Sequence, residues 1–167
     1  MELLDVYNKN GETTGKIVPR GTTKKELGEN EYIAISQIFI ENDEGKFLLE
    51  HSAKKTGYRF VPVGGHISSG ETHYETIIRE AKEEIGLDIK NEDFKYLGFF
   101  MLDEPIRFIY YLKKNVNISE LKLQKEEVKD VSYQSPTDIF ELVDLGLMHS
   151  TYNELMPKVL ELRKKLK

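Results

Sequence analysis

Cysteine and tryptophan are both missing from the 167 residues of this chain. Without cysteine there is no disulfide, no thiolate metal site and no cysteine nucleophile. No stretch of about 18 apolar residues occurs, and the opening MELLDVYNKN has no basic segment leading into an apolar one. Neither a membrane span nor a secretion signal is read, and a cytoplasmic protein is expected. No Lys/Arg cluster faces a run of aromatics, and 24 basic against 29 acidic residues leave a net charge of −5. That balance argues against nucleic-acid binding through a basic surface. Linkers, repeats and low-complexity tracts are also absent. With 39% hydrophobic and 32% charged residues, the chain reads as a single domain over 1–167 with a full core of its own.

What is present reads as alternating strands and helices. The turn-rich segment from Lys9 to Gly28 is expected to hold short strands at the edge of a sheet. Tyr32 to Ile40 places Ile33, Ile35, Gln37 and Phe39 on one face and Ala34, Ser36, Ile38 and Ile40 on the other. Apolar residues on both faces describe a central strand covered on both sides. After the turn ENDEG, Lys46 to Glu50 reads as its hairpin partner. Further strands are expected over Phe60–Val63, Phe94–Leu102, Ile106–Leu112 and Val128–Gln134. Helices are expected over Thr72–Ile85, stopped by Gly86, and over Thr137–Leu145 and Tyr152–Leu166, with Pro157 delaying the proper start of the last to about Met156. Strands with helices on both sides imply an α/β/α layered domain.

The chemistry concentrates between Gly65 and Leu87, GHISSGETHYETIIREAKEEIGL, which follows the pattern G-x5-E-x7-R-E-A-x-E-E-x-G-L. At about 100° per residue, Tyr74, Ile78, Ala81 and Ile85 share an arc that should face the sheet. Glu80, Glu83 and Glu84 share another, with spacings that let their carboxylates converge. Three like charges so placed destabilise an isolated helix. Hard divalent cations bound through oxygen relieve that repulsion, with Mg²⁺ keeping some waters and taking other ligands from phosphates. The plainer reading is a solvated acidic face. Gly64, Gly65 and Gly70 permit positive φ and close approach of backbone to a ligand. Arg79 is placed for an i,i+4 ion pair or for holding carboxylates in fixed orientations.

This pattern resembles the box of the Nudix hydrolases, which cut diphosphate linkages in nucleoside diphosphates joined to another group. Only Ala81 departs from it, standing where the family usually has Ile, Leu or Val. The resemblance implies a mixed β-sheet sandwiched between helices and a Mg²⁺- or Mn²⁺-dependent pyrophosphohydrolase acting on a small-molecule diphosphate, with a nucleotide the expected type. It also implies metal ligation by Glu80, Glu83 and Glu84 and an orienting role for Arg79. Glu71 would be an outer ligand or orienter, or only a first-turn carboxylate favoured by the helix dipole. Gly64 and Gly65 would border the bound phosphates, and His66 would touch phosphate or metal, with a structural histidine the alternative. Glu127, with Glu126 close behind, resembles a Glu-Val element that supplies an extra metal or base carboxylate; a surface pair is the alternative. His51 is expected to line the pocket, and His73 and His149 to be surface or capping residues. Among the aromatics, Tyr32, Tyr58, Phe60, Phe100 and Phe108 are either base-stacking or core residues. A homodimer is compatible with this reading.

Glu2, Asp5, Gly11, Gly15 and Arg20 are similar to the opening of the Nudix branch related to isopentenyl-diphosphate isomerase, which implies phosphate contacts for Arg20 and Lys24 or Lys25. An isomerase is therefore an alternative from another reaction class. That enzyme relies on a cysteine and a tryptophan, both missing here, and tends to have a degraded box, whereas this box is intact. A non-catalytic nucleotide-binding domain is the third reading. It normally goes with lost metal glutamates, and all of them are here.

Overall fold

The computed structural model describes residues 1–102 and 105–166. Its main sheet has six strands: β3 (Ala34–Glu41), β4 (Phe47–Ser52), β5 (Phe60–His66), β6 (Lys95–Phe100), β7 (Ile106–Lys113) and β8 (Val128–Gln134). They lie in the order β6-β7-β3-β5-β4-β8. The β3–β7 pair is parallel and the others antiparallel, so the sheet is mixed. Helix α1 (His73–Ile85) covers one face, and α2 (Pro136–Asp144) with α3 (Tyr152–Arg163) cover the other. This is the expected α/β/α sandwich.

Strand β3 is central and its two faces divide as its alternation requires. Ile38 and Ile40 pack with Leu48, Val63, Ile77, Ala81 and Ile85 beneath α1. Phe39 packs with Phe47, Leu49, Ile109 and residues of α2 and α3 on the opposite face. Of the expected arc Tyr74, Ile78, Ala81 and Ile85, the last two face the core together with Ile77, all fully buried, and Ile78 packs partly buried at its margin. Tyr74 is 47% exposed and stacks on Phe94 at the helix edge.

Local chemistry sets the ends of α1. Thr72 accepts a hydrogen bond from the Glu75 amide, and the Glu75 carboxylate accepts one from the Thr72 amide, closing a capping box. At the other end Gly86 has φ 70°, and the amides of Gly86 and Leu87 donate back to Lys82 and Ala81.

Three expectations are corrected. Lys46–Glu50 is not a simple hairpin partner of β3: the two meet only at Glu41–Phe47, because β5 inserts between them. The early strands do not edge the main sheet. β1 (Leu3–Tyr7) and β2 (Thr13–Pro19) form a separate two-stranded sheet, tied to the rest by bridges at Leu4–Ser68 and Tyr7–Tyr32. Finally, α3 starts at Tyr152 and carries Pro157 inside it, because burial of Tyr152, Leu155, Met156 and Val159 on one side outweighs the missing amide. The turn between β6 and β7 includes residues 103 and 104, which lie outside the described residues. Among the described residues no helix is long and apolar enough to cross a membrane.

Candidate functional site

Strands β3, β4 and β5, helix α1 and the loop before β8 enclose a cleft of about 460 Å³. Two glycines of β5 permit close approaches, Gly64 to the backbone of β3 and Gly65 to Glu80 of α1. A Cβ on Gly64 would stand 2.0 Å from the Ser36 carbonyl oxygen, and φ at that residue is 154°. A Cβ on Gly65 would stand 2.6 Å from the Glu80 carboxyl carbon. With Gly65 bare, Glu80 rests directly on the strand, and the Gly64 amide donates to Glu84.

Arg79 organises the acidic face. Its Nε and Nη2 donate to the two oxygens of Glu71 at 2.7 and 2.8 Å. Its Nη1 donates to Glu80 at 2.9 Å and to Glu83 at 3.2 Å. The guanidinium thus spans three carboxylates, more than a single i,i+4 pair, while Glu75 is taken by the helix cap. Thr76 Oγ1 also donates to Glu71 at 2.6 Å. These bonds hold the Glu71 carboxyl below the usual range, with Arg79 the largest cause. The reciprocal bond keeps the guanidinium protonated more firmly than usual.

Burial has the opposite effect on the neighbouring glutamates. Glu80 is pushed up to about 7 by desolvation, even beside Arg79. Glu84 is pushed up to about 8 by desolvation and by the charge of Glu80. Glu83 sits at the exposed rim, its side chain 53% accessible.

One acidic residue of the cleft is not found by the sequence reading. Glu50, on β4, is only 3% exposed and shares a hydrogen bond with Glu84. Desolvation, then Glu84, raises its carboxyl well above the ordinary range. A signal was available, because Glu50 is in phase with Leu48, whose side chain packs beneath α1. A charged residue at an inward strand position needs a partner.

The other expected residues divide. Glu127 reaches the cleft and pairs with Lys54 at 2.8 Å, while Glu126 is exposed outside it. His66 lines the cleft, and burial lowers its imidazole pKa. His51 does not line it, since its parity on β4 is opposite to that of Glu50 and Ser52; it stacks on Phe60, 4.7 Å between ring centres. His73 is partly buried rather than a surface or capping residue: its ring lies 4.3 Å from that of Phe108 and hydrogen-bonds Tyr110. His149 caps locally, accepting from the Thr151 amide. Arg20 lines the cleft, paired with Glu2 at 2.9 Å, whereas Lys24 lies over the Tyr32 ring and Lys25 is exposed in the short 3-10 turn Lys24–Glu26. Of the five candidate aromatics, Tyr58 lines the cleft.

The donor set suits a hard divalent cation. Glu50, Glu80, Glu84 and Glu127 supply only oxygen, and one buried oxygen each of Glu50 and Glu84 lacks a hydrogen-bond partner. Among the described residues no three acidic or histidine side chains already surround one point. Glu80 and Glu83 are turned to Arg79, and Mg²⁺ binds through one or two carboxylates plus water and phosphate, so a preassembled cage is not required.

Comparison with known proteins bears on family and fold. The NUDIX domain family model matches residues 32–159. An uncharacterized Nudix hydrolase of Listeria monocytogenes is 30% identical over 150 residues, covering 87% of each chain. Among solved structures, a Deinococcus radiodurans protein superposes with a TM-score of 0.75 at 19% identity, covering 99% of this chain and 100% of that one. The NUDIX domain of Shewanella oneidensis NrtR, complexed with ADP ribose, superposes with a TM-score of 0.60 at 14% identity, covering 84% of this chain and 93% of that one.

Proposed function

The chain belongs to the Nudix family and is a hydrolase acting on diphosphate bonds, and from that premise we propose that it is a divalent-metal-dependent enzyme cleaving a nucleoside diphosphate derivative. The observation that carries this is the division of charge in the cleft. Glu80, Glu83 and Glu84 crowd one wall, while Arg20 and Lys54 also reach the same cavity. A diphosphate carrying a bound cation presents both signs of charge to such a cavity.

Glu80, Glu83 and Glu84 would hold Mg²⁺ or Mn²⁺, and Arg79, braced by Glu71, fixes the direction of Glu80 and Glu83. When bound, the cation supplies Lewis-acid polarisation of a phosphoryl oxygen and charge neutralisation of the leaving phosphate. Glu127 takes the proton of the attacking water. Gly64, Gly65 and His66 border the phosphates, with Gly64 also fixing Glu84 through its amide. Tyr58, 44% exposed in the cleft, offers a ring face to a base. The binding of ADP ribose by the Shewanella domain supports a nucleotide-derived substrate. Residues 1–167 act as one unit, in the cytoplasm.

The isomerase reading keeps one supporting observation: the N-terminal hairpin does carry Glu2 and Arg20 into the cleft. A panel of nucleotide sugars, dinucleotides, nucleoside diphosphates and prenyl diphosphates with Mg²⁺, read by product analysis, separates the two. Phosphate or nucleotide products from the nucleotide derivatives are expected. Conversion of isopentenyl to dimethylallyl diphosphate, without hydrolysis of any nucleotide, would overturn the assignment.

A further inference from the structure

Every lysine and arginine lining the cleft is committed to a carboxylate other than Glu50 and Glu84. Arg79 holds Glu71, Glu80 and Glu83; Lys54 holds Glu127; Arg20 holds Glu2. Glu50 and Glu84 are left facing one another across the cleft floor, from strand β4 and helix α1. Their carboxyl groups lie within hydrogen-bonding reach of one another. Glu50 Oε2 and Glu84 Oε1 are both buried without any hydrogen-bond partner. Glu50 itself is 3% exposed.

Such a pair is costly if its purpose is only to fill space. Leu48, two residues earlier on the same face, shows that an apolar side chain completes this layer, and buried charge without a counter-ion destabilises. Unpartnered oxygens on two neighbouring carboxyl groups that line a polar cavity suit a hard, oxygen-seeking cation. We propose that Glu50 is a ligand of the divalent cation, binding it from the sheet side together with Glu84. This rests on the metal site proposed above and adds to the box a carboxylate carried by a strand. The placement matters because β4 is paired on both sides, by β5 and β8, so the Glu50 backbone is fixed. The cation is then held by the protein before any phosphate arrives, between one strand glutamate and one helix glutamate.

The test is Mn²⁺ binding to the full chain in the absence of substrate, by calorimetry or electron paramagnetic resonance, on wild type, Glu50→Gln and Glu50→Asp. Glu50→Gln keeps the volume and the hydrogen bond but loses the charge. It is expected to weaken Mn²⁺ binding at least tenfold, to raise the metal-free melting temperature and to shrink the rise in melting temperature that Mg²⁺ produces. Glu50→Asp keeps the charge but withdraws it by one methylene, so it loses part of the affinity even if the glutamine variant does not fold. An Mn²⁺ dissociation constant within twofold of wild type in either folded variant would overturn the proposal. Metal binding that depends on Glu50 in a protein without hydrolytic activity would sink the hydrolase reading and leave this one standing. Metal-dependent hydrolysis with unchanged Mn²⁺ affinity in Glu50→Gln would sink this one alone.

Discussion

Glu80 and Glu84 hold their protons to about pH 7 and 8 in the folded, metal-free chain, against about 4.5 when unfolded. A carboxyl raised in this way stabilises the fold at low pH, and the contribution is lost as pH rises through the folded value. Between about pH 6.5 and 8, above the range in which His66 and His73 titrate with their values lowered by burial, the metal-free melting temperature should therefore fall, and above pH 8 it should level off. Added Mg²⁺ should reduce that fall, because it favours the ionised form. A scanning-calorimetry series with chelator or Mg²⁺ checks this, and a metal-free melting temperature that climbs across the window would contradict it. At this scale the box residues were legible because helical spacing alone brings Glu80, Glu83 and Glu84 together. Glu50 was missed, and His51 misplaced, for one shared reason: the two-residue period of β4 was not followed to its last positions.

Elements explain why those side chains converge. Helix α1 was readable at both ends, through the Thr72–Glu75 box and Gly86. Its distance from β5 depends on residues whose role appears only when strand and helix are seen together. Gly64 and Gly65 therefore make opposite predictions although they are neighbours. In Gly65→Ala the new methyl meets the flexible end of Glu80 at 2.6–3.0 Å. The carboxylate should move, lowering kcat tenfold or more with less than about 1 kcal/mol lost in stability. In Gly64→Ala the methyl meets fixed backbone at 2.0 Å, and about 3 kcal/mol or more should be lost. Urea unfolding of both, with kcat measured on Gly65→Ala, distinguishes displacement of one side chain from damage to the sheet. The β3–β4 turn was visible in ENDEG, but the insertion of β5 between those strands was not, because pairing across a sheet is decided by distant partners. Pro157 misled for a similar reason, since packing on α3 overrides a local preference.

The whole molecule joins the N-terminal hairpin to the loop of the box. Asp5 accepts from Ser69 Oγ at 2.9 Å and from the Gly70 amide at 3.1 Å, and Glu2 accepts from Ser68 Oγ at 2.7 Å. The loop that presents Glu71 to Arg79 is thus held by residues more than 60 positions earlier in the chain. Asp5→Ala should cost about 1–2 kcal/mol by the loss of these charged hydrogen bonds. It should also lower kcat severalfold by loosening Glu71, with protein stability and steady-state kinetics as the readouts. Unchanged kcat would confine the hairpin to a structural role. The layered architecture was legible from strand and helix patterning, yet the docking of this hairpin was not, since nothing in Asp5 or Ser69 alone announces a contact over that distance.

The central claim is that diphosphate hydrolysis proceeds at the carboxylates of α1 with a divalent cation. Its most direct test is Glu84→Gln, a change of nearly equal volume at a group that burial already keeps partly protonated, so the fold should be retained. Single-turnover hydrolysis of the best substrate in the nucleotide panel would be followed with Mg²⁺ and with chelator. Wild type should turn over only with Mg²⁺, and the variant about a hundredfold or more slowly. Turnover that persists in chelator, or that is unchanged in the folded variant, would contradict the account.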